Sequence, residues 1–191
     1  VTSDSAKLTV NRYSLVANTS GGFYAKTECV KDNVNGLIWE GKNPSDPNVP
    51  AFGSAGWTSA NSTAITARAA NAKLTNFFVG ASINDSSNSL GYVNHVNTIG
   101  LCGFDNWRMP TKDELLGLFY SKPAGLGLGV SYFYDTDWFV NAKSGYWTST
   151  SSVPGGDSSC CTYSVSFPGG VFSSNLRGET GDNGVRLVRP Y

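Results

Sequence analysis

The four cysteines of this chain, Cys29, Cys102, Cys160 and Cys161, are the residues with the most distinctive chemistry. When all of them are oxidised, they allow three disulfide pairings. None forms a Cys-x-x-Cys pair and two are adjacent, an arrangement that suits a tetrahedral zinc site poorly. We therefore predict disulfides formed in an oxidising compartment, and we favour Cys29–Cys102. This pairing leaves Cys160 and Cys161 either as a strained adjacent pair or as free thiols.

The single histidine, His95, is the one candidate for an imidazole base. A Ser-His-Asp or Cys-His site needs such a base beside a nucleophile in a pocket. His95 falls on the polar face of a predicted helix, where we expect it to be solvated. Calcium takes about six to eight oxygen ligands, and neither residues 46–48 (Asp-Pro-Asn) nor the loop acids Asp135 and Asp137 supply such a set. We predict no enzymatic activity, no metal and no cofactor.

Basic and aromatic side chains in predicted loops are the candidates for contact with a ligand. Arg binds a sulfate or carboxylate as a bidentate fork and Lys binds it as a mobile point charge, while aromatic rings can stack on sugar faces. The residues of these kinds are Lys42, Lys122, Lys143, Arg177, Tyr132, Tyr134 and Trp138. The alternative is that they are scattered solubilising charges and core aromatics. Convergence in space distinguishes the two interpretations.

Length and composition restrict the class of protein. The 191 residues suffice for one domain, and we predict a single ligand-binding domain over 1–191. Charged residues make up only 15%, below the usual share, which favours an extracellular protein. Lys plus Arg and Asp plus Glu both number 14, so the basic excess typical of nucleic-acid binding is absent. No apolar segment reaches the roughly 20 residues that span a bilayer. We expect no nucleic-acid partner and no membrane insertion.

The elements that position these residues begin with extended structure. Residues 1–24 alternate apolar and polar side chains and predict strands. A turn at 33–36 leads into a short apolar strand at 37–39, and residues 41–59 form a predicted long surface loop.

Three helices are predicted in the middle of the chain. The first covers 61–74, and the second follows the stripe Leu90, Val93, Val96 and Ile99. The third begins at Thr111 with a capping box, since Glu114 stands three positions later. The core face of this helix is predicted to continue to Phe119, and Pro123 closes it.

The last part of the chain predicts antiparallel strands. A strand at 146–150 is followed by another at 162–167, a hairpin turn at 168–170 and a polar loop at 173–183. A closing strand at 185–188 is free to pair with the first strand. The order predicts an α+β fold, an antiparallel sheet with two or three helices and long irregular loops.

Several motifs in this order resemble the family of the C-terminal domain of the Legionella collagen-like adhesin. Residues 29–40 (CVKDNVNGLIWE) resemble its opening C-V-x-D-N-x-T-G-L-x-W-E, and residues 107–115 resemble its core W-R-L-P-T-x-x-E-L. The matching segments at 92–97, 100–103, 146–150 and 185–189 complete the set. Asn35 and Met109 are conservative departures, whereas the doublet of Cys160 and Cys161 has no place in the pattern.

The resemblance implies a C-type-lectin-like fold, a homotrimer and binding of sulfated polysaccharides such as glycosaminoglycans. It also implies framework roles, with Trp107 buried and Arg108 pairing with buried carbonyls or a carboxylate. The residues we expect to be structural are Cys29, Cys102, Trp39, Trp107, Arg108, Thr111, Glu114, Trp147, Arg186 and also Arg189.

The sequence therefore predicts a secreted or cell-surface adhesin domain of a collagen-like protein, which binds sulfated or acidic polysaccharide through loop-borne basic residues. Residues 1–24 are candidates for a role in oligomerisation. The second hypothesis is a protein-receptor-binding module of the same fold, as in variable phage receptor-binding proteins. Its ligand surface would include the 173–183 loop with Asn175 and Asn183.

Overall fold

The computed structural model describes most of the predicted framework. The described residues are 11–42, 89–123, 130–135, 137–139, 145–152, 161–166, 172–176 and 183–191. The predicted helix at 61–74 and most of the predicted 41–59 loop lie outside these ranges.

The N-terminal sheet is antiparallel and has the strand order β1-β2-β3-β9. Its strands are β1 (Tyr13–Leu15), β2 (Cys29–Asp32), β3 (Leu37–Glu40) and β9 (Val188–Pro190). The strand predicted at 37–39 is confirmed. The closing strand predicted at 185–188 begins later than expected, at Val188. That strand pairs with β3 and not with the first strand, because Val188 lies opposite Trp39 and both are buried in this register.

The turn predicted at 33–36 closes the β2–β3 hairpin. The Asp32 carboxylate accepts hydrogen bonds from the backbone N–H groups of Val34 (3.0 Å) and Asn35 (3.2 Å). Gly36 has a φ of 66°, a left-handed conformation that glycine adopts without steric cost. The Asp32 side chain and Gly36 thus fix the register between β2 and β3, the strand that carries the core residue Trp39.

Both faces of this sheet are buried at its centre. One face carries Tyr13, Val30 and Trp39, which pack with Leu115 and Phe139. Side chains on the other face include Cys29 and Ile38, which pack with residues of the first described helix and with Trp107 and Trp147. The predicted framework tryptophans Trp39, Trp107 and Trp147 are all buried.

Helix α1 (Ser89–Ile99) corresponds to the second predicted helix. Tyr92 and Val96 face the core, four positions apart as one helix face requires. The predicted burial of Ile99 is wrong, since it is 49% exposed. The chain turns at Gly100, with a φ of 64°, and Leu101 enters the core instead.

Helix α2 (Lys112–Gly117) starts as predicted but is shorter. The capping box of Thr111 and Glu114 is present. The prediction that the helix continues through Phe119 is wrong, because β4 (Phe119–Pro123) pairs with β5 (Val130–Tyr134). Backbone pairing with β5 therefore outweighs the helical pattern of the leucines, which suggested a longer helix.

A second antiparallel sheet has the order β6-β7-β8. Its strands are β6 (Gly145–Ser151), β7 (Cys161–Ser166) and β8 (Phe172–Leu176). The strand predicted at 146–150 and the β7–β8 pairing are confirmed. The polar loop predicted at 173–183 begins too early, because residues up to Leu176 pair with β7 and Asn175 lies opposite Thr162. The described elements form an α+β fold with antiparallel sheets, as predicted.

The favoured disulfide is present between Cys29 and Cys102, across a sequence separation of 73. It joins β2 to the short 3-10 turn (Leu101–Gly103) that follows α1. Cys102 has a φ of 54°, a left-handed conformation that is uncommon for a residue with a Cβ. Cys160 lies outside the described residues, as does the side chain of Cys161.

Candidate functional site

The described structure does not bring the sequence-predicted ligand residues together. Lys122 lies opposite Ser131, whereas Tyr132 lies opposite Ser121 in the β4–β5 ribbon. Because directly paired positions share a face and faces alternate along a strand, positions 122 and 132 fall on opposite faces of this ribbon. Tyr134 ends β5 opposite Phe119, and Lys143 and Arg177 lie outside the described residues.

Trp138 is half-buried and packs against the core. Its ring centroid lies 6.3 Å from that of Tyr13, whose ring also makes an edge contact with Phe139. Tyr13 is buried on β1, the edge strand of the N-terminal sheet, and this burial raises the pKa of its phenol. The expectation that Trp138 stands in a loop free to stack on a sugar therefore needs correction: this side chain is part of the aromatic packing under β1.

Lys42 is buried, which contradicts its predicted place in an exposed loop. Only 3% of the residue is accessible, and its ammonium donates to the Glu40 carboxylate at 2.9 Å. Gly41, the residue between them, lets the chain pass close to the 26–27 backbone, because a Cβ at that position would collide with the carbonyl oxygen of Lys26. Lys42 therefore neutralises a buried charge and is not placed to bind an external ligand.

Glu40 is the centre of this buried polar network. Its carboxylate also accepts from the Tyr92 hydroxyl and, at 3.0 Å, from the backbone N–H of Leu187. Arg186 donates to the Glu40 carbonyl at 2.7 Å and to the Tyr146 hydroxyl at 3.2 Å. The network links β3, α1, β6 and the segment before β9, and the arginine predicted to be structural is buried within it.

Arg108, Thr111 and Glu114 form a second polar cluster at the start of α2. The two terminal nitrogens of the Arg108 guanidinium donate hydrogen bonds to the two carboxylate oxygens of Glu114, at 2.8 and 2.6 Å. That carboxylate also accepts from the backbone N–H of Thr111 at 2.8 Å, which completes the cap. The hydrogen bond from Arg108 lowers the pKa of Glu114 to about 2. This pair is more exposed than predicted, with 42% of the Arg108 side chain accessible.

Replacing Glu114 by glutamine is expected to lower the free energy of unfolding by about 1 kcal/mol, because a partly screened ion pair and part of a helix cap are lost. The lowered pKa means that the folded state favours the charged carboxylate. The difference in unfolding free energy between wild type and E114Q should therefore reach its full value above pH 5. As the pH falls from about 4.5 to about 2, protonation should remove it.

Urea unfolding at several pH values tests this expectation. T111A serves as the matched control, since it removes the hydroxyl cap and leaves the ion pair in place. Its effect should stay nearly constant over the same pH range. An E114Q difference that does not change between pH 6 and pH 2.5 would contradict the assignment.

Apart from the buried Arg186, which donates to a carbonyl and a hydroxyl, the basic residues whose side chains the structure describes fall into two groups by their ionic pairing. Those paired with a carboxylate are Arg12 with Asp32, Lys42 with Glu40, Arg108 with Glu114, and Lys112 with Asp113. Within the described ranges, no carboxylate lies in ion-pair distance of the partly or fully exposed Lys26, Lys31 and Arg189. The Lys26 ammonium donates to the backbone carbonyl of Asp137. Lys31 and Arg189 are therefore the two of these cations that are available to an anionic ligand.

Sequence reasoning missed Lys31 as a surface cation and assigned Arg189 to the framework. The alternation within β2 contained the signal, because Lys31 stands between the buried residues Val30 and Asp32. Arg189 likewise stands between the buried Val188 and the exposed Pro190. What the sequence did not indicate is that β9 would pair with β3 and so place Arg189 on the same face as Lys31.

His95 is half-buried in α1. Among the residues that the structure describes, no group of at least three His, Cys, Asp or Glu side chains could hold a metal ion. Within the same residues, no helix is long and apolar enough to cross a membrane.

Comparison with known families finds one that matches the framework described above. The model of the Lcl C-terminal domain matches residues 28–189. The disulfide cysteines, the buried tryptophans and the capping box all fall within this range. No curated protein and no solved structure matches the chain.

Proposed function

Because this chain belongs to the Lcl C-terminal domain family, an adhesin-type family, we propose that it is a surface or secreted adhesin domain that binds sulfated or acidic polysaccharide. The observation that carries the proposal is the pair of accessible cations that have no carboxylate partner among the described residues, Lys31 and Arg189. Since the whole chain has no net charge, attraction to a polyanion has to come from such local groups.

The predicted loop cations remain part of this proposal. Lys122 lies in the β4–β5 ribbon, and Lys143 and Arg177 complete the set predicted from the sequence. Lys42 is omitted because its charge is buried against Glu40. A homotrimer, as the family resemblance implies, would repeat each cationic site three times and raise the avidity for a long chain.

Binding to immobilised heparin, dextran sulfate and uncharged dextran tests the proposal. The two dextrans share a backbone and differ in their sulfate groups, so the comparison isolates charge recognition. We expect binding to heparin and dextran sulfate, none to dextran, and a steep loss of affinity as salt rises from 50 to 500 mM, because mobile ions screen accessible charges. The triple variant K122Q/K143Q/R177Q should bind more weakly.

Absence of binding to both sulfated polymers at low salt would contradict the proposed function. In that case a pull-down that yields one defined protein partner would support the receptor-binding alternative. An affinity for heparin that does not change with salt concentration would contradict an ionic mechanism, even if that affinity is high.

A further inference from the structure

We propose that a surface patch at the side of the N-terminal sheet, formed by Lys31, Arg189, Phe104, Asn106 and Tyr191, is a binding site for an anionic sugar chain. This surface is called the Lys31–Arg189 face below. The inference rests on the proposed function and goes beyond it, because it names a site that the predicted ligand-binding residues do not include.

The strand register places both cations on the same face. Lys31 in β2 lies opposite Ile38 in β3, and Ile38 lies opposite Arg189 in β9. Directly paired residues share a face, so the two cations flank the buried Ile38. Two strand spacings separate their backbones, or about 10 Å. A ligand with several anionic groups along its length is suited to contact both.

Arg189 is held in place with its terminal nitrogens available. Its guanidinium carbon lies 3.7 Å from the centroid of the Phe104 ring, and its Nε donates to the Asn106 side-chain oxygen at 2.6 Å. The terminal nitrogens make no hydrogen bond to other described residues. They form the planar fork that binds sulfate or carboxylate with two parallel hydrogen bonds. Because stacking already orders this side chain, less entropy is lost on binding.

Lys31 has a similar arrangement on β2, two strands away from Arg189. Its ammonium lies 3.1 Å from the centroid of the Tyr191 ring, and that ring belongs to a residue that is 70% exposed. The backbone N–H of Tyr191 donates to the Gly36 carbonyl at 2.9 Å, which fixes the end of β9 beside the hairpin turn. An exposed ring beside an unpaired cation offers a sugar both an apolar face and a charge.

Asp105 is the opposing charge at this face. It is exposed, and its charge acts on Arg189, so it would repel an approaching anion. Removing this carboxylate should therefore strengthen binding, whereas a role for Asp105 in holding Arg189 would give the opposite result. The chain thus offers a gain-of-affinity variant at an exposed position.

The test compares heparin affinity of the full chain and of matched variants at low salt. K31Q/R189Q should weaken binding by about tenfold, since two charge-assisted contacts are lost. D105N should strengthen it about threefold, because a repulsive charge is removed. The control K26Q/K112Q also removes two positive charges but lies outside the Lys31–Arg189 face, and it should change affinity less than twofold. Unfolding curves verify that each variant is folded.

The outcomes separate the site from the function. Wild-type binding that is lost in K31Q/R189Q and kept in the control supports the Lys31–Arg189 face. Equal losses in the two double variants would overturn it, because total charge would then explain the effect. Unchanged affinity in K31Q/R189Q, with loss in K122Q/K143Q/R177Q, overturns the site and leaves the proposed function standing. If R189K restores part of the affinity of R189Q, a direct contact is supported.

Discussion

Replacing both Cys29 and Cys102 by serine in one variant is expected to lower the free energy of unfolding by about 4 kcal/mol. The disulfide closes a long loop, because its cysteines are 73 positions apart in the chain. Cross-linking such distant positions restricts the unfolded chain strongly. The bond also holds Cys102 in its left-handed conformation between α1 and the Trp107 segment.

Urea unfolding of wild type and C29S/C102S, each with and without a reducing agent, measures this effect. Reduction should destabilise the wild type by nearly the same amount and leave the double variant unchanged. A loss below about 1 kcal/mol would contradict the expectation. It would indicate that the unfolded chain is already compact without the bond.

Replacing Glu40 by glutamine is expected to cost about 3–5 kcal/mol, because it leaves the ammonium of Lys42 buried without the carboxylate that the structure places against it. The change is nearly isosteric, so a cavity does not explain the loss. A domain of this size has about 5–15 kcal/mol of stability in total. The variant should therefore unfold at a much lower urea concentration.

The double variant E40Q/K42M separates the charge effect from other consequences. Removing both charges takes away the ammonium that E40Q leaves without the Glu40 carboxylate, so E40Q/K42M should be more stable than E40Q alone. K42M by itself leaves the Glu40 charge buried and should also be strongly destabilised. If the loss in the double variant equals the sum of the single losses, the two side chains are not coupled and the interpretation is wrong.

The two predictions concern adjacent parts of the fold. Cys29 and Glu40 lie directly opposite each other in the β2–β3 pair. From this position the disulfide reaches the turn after α1, and the carboxylate reaches Tyr92 within α1. Because both bonds attach the same helical segment to the same sheet, we expect their losses to be non-additive when combined.

The sequence by itself determined the local parts of this protein. The capping box at Thr111 and Glu114, the turn ending at Gly36 and the alternating strand at 146–150 follow from residues close together in the chain. Short-range hydrogen bonds and backbone preferences decide such elements, and their signals survive in the sequence. The family motifs, which span residues 29–189, identified the framework cysteines and tryptophans by resemblance.

Only the tertiary structure decided which charges are buried and which meet at the surface. Lys42 follows a strand and begins a segment whose composition predicts a loop. In the structure, however, its ammonium contacts Glu40 and Tyr92 in the interior. Phe119 follows a helical pattern, but β5 pairs with its segment.

Lys31 and Arg189 stand far apart in the chain and become neighbours because β9 pairs with β3. Pairing between distant segments depends on how well the whole core packs, and local residue patterns do not encode it. For this reason the Lys31–Arg189 face became visible only in the tertiary structure, whereas the sequence pointed to the predicted loops.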